Sequence, residues 1–259
     1  MRKFLVFISV AVLTVSFFAC SDSDDGNSSE ELAPPALMSS NFTDIGFNDI
    51  ASVFDSVAAT DTVVFLLRHA ERGSDYSRDG LLTENGKKQA QKVGGKIKNG
   101  EQAFYAHSDY ERTKQTCENI AIGREETDFV HEEWSFLSGD WYKEDADLLK
   151  KNGWDSWKAV SQWAYNGGYE GGFYDLDERS EEWLDSLRTY LPGMKRINVL
   201  VSHDYQVLAM TVFASNKEID LHYYANWKWI NYLAGIAIII DQKGKMTFKT
   251  VRGLSSGVM

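Results

Sequence analysis

Two short stretches of this 259-residue chain set a histidine beside a charged neighbour at the end of an apolar run: Arg68-His69 after Val63–Leu67, and His203-Asp204 after Ile197–Val201. Arg72 follows the first histidine by three residues, and Arg112 lies in a further polar segment, Ser108-Asp109-Tyr110-Glu111-Arg112. Guanidinium forks match the oxygens of a phosphate, and several of them neutralise a phosphoryl dianion while its charge is redistributed in a transition state. A neutral imidazole nitrogen attacks phosphorus in line and leaves a phosphohistidine that water hydrolyses. The departing alkoxide needs a proton, which a carboxylic acid near the second histidine supplies. Taken singly, each residue has a plainer explanation: a strand boundary, a solvated helix charge, a helix cap. His107, His131 and His222 are assigned no catalytic role, because an isolated histidine is more often a satisfied structural residue.

These groups meet only if the runs that carry them are neighbouring parallel strands, since open α/β sheets gather ligands beyond their strands' carboxyl ends. Val63-Val64-Phe65-Leu66-Leu67 and Ile197-Asn198-Val199-Leu200-Val201 read as strands buried on both faces. A shorter strand is expected at Ala103–Ala106, and a terminal hairpin joins 234–240 to 246–251 through Gln242-Lys243-Gly244. Ile50, Val53, Phe54 and Val57 mark one helix face, and Thr83 opens a helix that carries Ala90, Val93, Gly94 and Ile97. Ser108 with Glu111 has a capping-box pattern, which predicts a helix from Ser108 to about Ile122 with Cys117 buried inside it. Between about 128 and 190 lie six of the eight tryptophans, which read as core residues of a small inserted, largely helical cap. Strands alternating with helices specify a three-layer α/β/α sandwich with a mostly parallel central sheet.

Arg2 and Lys3 precede an apolar run from Phe4 to Phe18, the pattern of a secretory signal peptide over residues 1–19. Ala19-Cys20-Ser21 resembles a bacterial lipoprotein processing site, which makes Cys20 a lipid attachment point. An acidic, Ser-, Ala- and Pro-containing stretch over 20–44 then reads as a flexible tether to a domain spanning 45–259. The expected location is the bacterial cell envelope, anchored by lipid to the outer membrane on its periplasmic or its surface face. Removing residues 1–19 takes the formal charge from -11 to -13. That balance excludes general binding to nucleic acid, and it confines membrane contact to the lipid anchor. Two cysteines provide neither a disulfide scaffold nor a cysteine-rich zinc site. No metal or other cofactor is expected.

Four motifs, in order and at the right spacing over about 62–240, resemble the histidine phosphatase superfamily, which includes the phosphoglycerate mutases and the acid phosphatases and phytases. They are Leu66-Leu67-Arg68-His69-Ala70-Glu71-Arg72, Leu82-Thr83-Glu84-Asn85-Gly86-Lys87-Lys88-Gln89-Ala90, Ser108-Asp109-Tyr110-Glu111-Arg112-Thr113-Lys114-Gln115-Thr116 and Val201-Ser202-His203-Asp204. The resemblance implies that His69 is the nucleophile and that Arg68, Arg112 and His203 bind the phosphoryl group. The Arg-His-x-x-Arg and His-Asp patterns are similar to the acid phosphatase and phytase branch, which makes Asp204 the proton donor and Arg72 a phosphate ligand. In this chain Ala70 stands in place of that branch's glycine, no proline follows Arg72, and the cap is smaller. The mutase-like branch takes its acid from a glutamate after the second-arginine helix, where Glu132 and Glu133 are the alternatives.

The activity implied is a metal-independent phosphomonoesterase that acts on a small phosphorylated substrate through a phosphohistidine. The alternatives are a catalytically inert phosphate-ligand-binding lipoprotein of the same fold and a phosphoglycerate mutase-like phosphotransferase. Hydrolysis of a phosphohistidine or pyrophosphate bond is a further option.

Overall fold

The computed structural model describes residues 46–259. The signal segment, Cys20 and the acidic tether therefore lie outside the described residues. In chain order the elements are β1 (Asn48–Asp49), α1 (Ile50–Asp55), β2 (Thr62–Arg68), α2 (Glu84–Lys96), β3 (Phe104–His107), α3 (Glu111–Gly123) and β4 (His131–Glu133). There follow α4 (Ala146–Lys151), α5 (Trp157–Asn166), α6 (Leu176–Tyr190), β5 (Ile197–Ser202), α7 (Asp204–Ala214), α8 (Tyr223–Asn226), β6 (Ala234–Ile240) and β7 (Met246–Arg252). Among the described residues no helix is long and apolar enough to cross a membrane.

The strands form one seven-stranded sheet in the order β1-β7-β6-β2-β5-β3-β4. β2, β5, β3 and β4 run parallel, while β6 is antiparallel to both β2 and β7. Central strands covered on both sides need no polar face, and this explains the unbroken apolar runs of β2 and β5. On β2 the period of two is still used. Val63, Phe65 and Leu67 pack with Ala90, Val93 and Ile120 of α2 and α3, whereas Val64 and Leu66 point to the opposite layer with Leu208, Trp183 and Leu187.

Thr83 caps α2 by accepting from the Gly86 N–H at 2.9 Å. Where α2 crosses α3 the backbones touch: a Cβ at Gly94 would run into the Ile120 carbonyl, and one at Gly123 into that of Gln91. The crossing thus requires glycine, and it fixes α3, which carries Arg112, against the sheet.

The tryptophan-rich insertion does not form a separate lid. Trp134, Trp163 and Trp183 are buried in the same apolar cluster as Val64, Leu200 and Leu208, so α4–α6 share a layer and a core with α7. Within the expected span of about 128–190, His131–Glu133 belong to the sheet, as the edge strand β4 paired with β3. The capping box also needs correction. Tyr110 is the N-cap of α3, which begins at Glu111, and the Ser108 side chain is committed elsewhere.

Candidate active site

In the sheet register Arg68 lies opposite Ser202, and Val201 opposite His107, so β2, β5 and β3 end level with one another. The residues that follow those ends, His69, His203 and Ser108, therefore meet. The two imidazole centroids are 5.5 Å apart and both rings are buried.

Each ring is oriented by its partners. His69 Nδ1 lies 2.8 Å from the Ala70 carbonyl oxygen, which can only accept; the hydrogen is on Nδ1 and the lone pair on Nε2. His203 Nδ1 lies 3.5 Å from the Arg112 Nη2 donor, so it is the acceptor nitrogen. Its Nε2–H donates to Ser108 Oγ at 2.8 Å, Ser108 donates to Thr113 Oγ1 at 2.9 Å, and Thr113 donates to the Tyr110 carbonyl at 2.6 Å. Burial, then the His203 and Arg68 charges, hold His69 well below the ordinary histidine range. Burial and Arg112 push His203 down to about 3. Both imidazoles are neutral at neutral pH, the state a nucleophile needs.

Two guanidiniums flank them. Arg68, only 2% exposed, donates from Nη1 to the Ile230 carbonyl at 2.5 Å, meets Asp204 Oδ2 at 3.3 Å through Nη2 and lies over the Tyr232 ring. Arg112 donates to the Ser77 carbonyl at 2.8 Å and lies over the Tyr110 ring. The Nε–H of each is buried without a hydrogen-bond partner among the described residues. Burial is the main force lowering both pKa values, and the charge of Arg72 lowers each further, which places Arg72 within electrostatic reach of both. Arg72 itself stacks on Tyr76, its guanidinium carbon 3.5 Å from the ring centre, and donates to the Gly73 carbonyl.

Asp204 opens α7, accepting from Trp229 Nε1 at 3.2 Å and from Arg68. It lines a cleft of about 350 Å³ together with Arg112 and His203. Glu132 and Glu133 are not brought there. They lie on β4, three strands from β2 and thus about 14 Å across the sheet at a spacing of about 4.8 Å per strand. Glu132 instead accepts from Trp134 Nε1 at 2.8 Å, and both side chains are exposed. His107 and His131 pair with each other at 3.0 Å outside the cleft, and His222 pairs with Asp220.

Several functional neighbours carried no signal in the sequence. The loop 134–141 delivers Gly139 against the His203 ring, where a Cβ would press on the imidazole, and sets Asp140 in the cleft wall. Three side chains hold that loop by its backbone. Trp183 Nε1 and Gln206 Nε2 donate to the Phe136 carbonyl, and Ser202 Oγ donates to that of Leu137. Ser108 and Thr113 were legible only as part of a motif; their role as the partners of His203 is a tertiary fact.

A pH effect follows from the His203 tautomer. In the free site Nδ1 accepts, so it bonds an oxyanion only after taking up a proton, and a dianion between Arg112 and His203 favours that uptake. Sulfate, a dianion throughout this range, is expected to bind progressively more weakly from pH 5 to pH 8, by up to about tenfold per unit once the pH exceeds the bound-state pKa. Calorimetric titration checks this: a flat profile in the wild type rejects it, and His203→Asn is expected to flatten it.

Residues 64–252 match the family described as histidine phosphatase superfamily (branch 1). No curated protein matches the chain in sequence. The structure is similar to phosphoglycerate mutase from Bacillus anthracis str. Sterne, with a TM-score of 0.50 and 13% identity over 74% of this chain and 93% of that one. YhfR of Bacillus stearothermophilus is similar at a TM-score of 0.48 and 20% identity, covering 76% and 98% of the two chains. A mycobacterial glucosyl-3-phosphoglycerate phosphatase with bound VO3 is similar at 0.46 and 18%, covering 74% and 97%. The Arg68–Arg72 and His203–Asp204 patterns thus occur here within a branch 1 match. With both histidines and both flanking arginines inside the matched stretch, the chain belongs to the histidine phosphatase superfamily, whose chemistry is phosphoryl transfer.

Proposed function

We propose that the protein is a phosphomonoesterase that works through a phosphohistidine on His69, held at the bacterial cell envelope by a lipid on Cys20. The observation that carries the catalytic part is the pair of neutral imidazoles between two buried guanidiniums whose Nε–H donors have no partner among the described residues. Buried cationic donors left without acceptors are costly, and a phosphoryl group satisfies them. The location is supported by the basic start, apolar run and Ala19-Cys20-Ser21 of the sequence.

The substrate's phosphoryl oxygens take the Arg68 and Arg112 donors, and Arg72 adds charge at the rim. The His69 Nε2 lone pair forms a bond to phosphorus as the ester P–O bond breaks, and a proton carried on Asp204 goes to the departing oxygen. Water then attacks phosphorus, giving its proton to the Asp204 carboxylate. The P–N bond breaks back onto Nε2, and inorganic phosphate leaves. In a mutase-like phosphotransferase the phosphohistidine would instead await a second substrate.

The test is release of inorganic phosphate from an aryl phosphate by the soluble 21–259 chain, with EDTA present. Phosphate release at steady state supports hydrolysis. A phosphorylated enzyme that discharges only to an added alcohol supports the phosphotransferase, and vanadate binding without turnover supports the inert binder. For Asp204, the expected result depends on the leaving group. Asp204→Asn is expected to lower kcat on alkyl phosphates by about 10²–10³-fold, but on 4-nitrophenyl phosphate by under about tenfold, because nitrophenolate departs unaided. Glu132→Gln and Glu133→Gln are expected to stay within about twofold of wild type on both. An equal loss on both substrates in Asp204→Asn would remove it as the donor.

A further inference from the structure

The phosphoryl group occupies only one end of the cleft. The wall beyond it is formed by Tyr76, Asp140, Lys143, Asp155 and Tyr205. Lys143 Nζ sits 3.0 Å from Asp140 Oδ1 and 3.2 Å from Asp155 Oδ1, and 5.3 Å from the centre of the Tyr205 ring. Its side chain is 14% exposed, against 69% for Asp140 and 38% for Asp155. The ammonium is therefore committed to two carboxylates that themselves face the opening. Two negative charges on one positive leave this end net negative.

Such a wall has consequences for the alcohol part of an ester. A carboxylate or second phosphate placed there meets like charge, and the cation of this wall, Lys143, is already paired. Hydroxyl groups fit all three kinds of wall atom: they donate to the remaining carboxylate lone pairs, accept from ammonium and phenol, and lay their C–H faces on tyrosine rings. The volume, about 350 Å³, lies at the small end of the range for small-molecule sites.

On the footing of the phosphatase activity proposed above, we infer that the outer cleft selects a small, polyhydroxylated alcohol without a second negative charge, so that the substrates are polyol or sugar monophosphates and not esters bearing a second anionic group. Asp140, Lys143 and Asp155 are the residues that set this preference.

The test uses esters matched in size. Glycerol 3-phosphate and 3-phosphoglycerate share a three-carbon skeleton and differ in a hydroxymethyl or carboxylate end, and 4-nitrophenyl phosphate reports basal turnover. The expected kcat/KM for glycerol 3-phosphate exceeds that for 3-phosphoglycerate by about tenfold or more. The glycerol-to-glycerate ratio is expected to shrink at least about threefold in the Asp140→Asn, Asp155→Asn double variant and to widen in Lys143→Met. These are internal ratios, so a general loss of folded protein does not imitate them. Aryl phosphate turnover with 3-phosphoglycerate at least as fast as glycerol 3-phosphate overturns the inference alone. No turnover of any ester overturns the phosphatase activity, and the inference with it.

Discussion

His69→Ala is expected to lower kcat on any phosphate ester by about 10⁴-fold or more while leaving vanadate binding within about tenfold of wild type. The reason lies in how the two functions divide between residues. The anion is held by Arg68, Arg112 and His203, none of which depends on the His69 ring for its hydrogen bonds. The attacking lone pair has one source, Nε2 of a ring whose Nδ1–H is committed to the Ala70 carbonyl. Substitution by alanine also deletes a buried, neutral imidazole, so stability at neutral pH is expected to fall by only a few kcal/mol or less. Rapid quenching of the wild type in alkali during turnover is expected to trap label on His69, and the label is expected to be lost in acid. Residual activity above about 1% in His69→Ala would place the nucleophile elsewhere.

Arg68→Ala is expected to be damaging in two separable ways. It removes the guanidinium nearest the nucleophile, and kcat/KM is expected to fall by about 10³-fold or more. It also strands Asp204 without its cation and the Ile230 carbonyl without a donor, and stability is expected to fall by about 3–5 kcal/mol. Arg68→Met separates the effects, because its side chain refills much of the space between β2 and Tyr232. Thermal unfolding is expected to recover part of the lost stability in the methionine variant, with no recovery of activity. Arg68→Lys keeps the charge but loses the fork, and it is expected to remain at least about tenfold below wild type in kcat/KM. Full activity in either variant would show that Arg68 only buttresses Asp204.

The sheet and its site ends were largely legible in the sequence. β2 and β5 are buried on both faces and announce themselves as apolar runs, and the polar residues just past their ends are conspicuous for that reason. Thr83 likewise marks the start of α2. The cap of α3 was misleading because Ser108 satisfies the capping pattern yet spends its hydroxyl on His203, 95 residues away, a partner that no local rule registers. β4 escaped notice because three residues, His-Glu-Glu, carry no apolar pattern and owe their extended form to pairing with β3. The same pairing fixes Glu132 and Glu133 three strands from β2, whereas Asp204 inherits its place from the end of β5. The cleft wall was the least legible part, since Asp140, Lys143 and Asp155 look like ordinary surface charges until the loop after β4 folds back over β5.

The loop 134–141 is gripped by its carbonyl groups, through Trp183, Gln206 and Ser202, and by the burial of Trp134, Phe136 and Leu137 in the core. Its path therefore depends on those inward side chains and on Gly139, where the His203 ring leaves no room, and not on the exposed Asp140. Substitutions at Asp140 and Lys143 can redraw what the cleft accepts without disturbing the machinery beneath, so the scaffold separates inheritance of the reaction from variation of its substrate. A lineage descended from this chain can change diet by point mutation at the rim while Arg68, His69, Arg112 and His203 stay as they are.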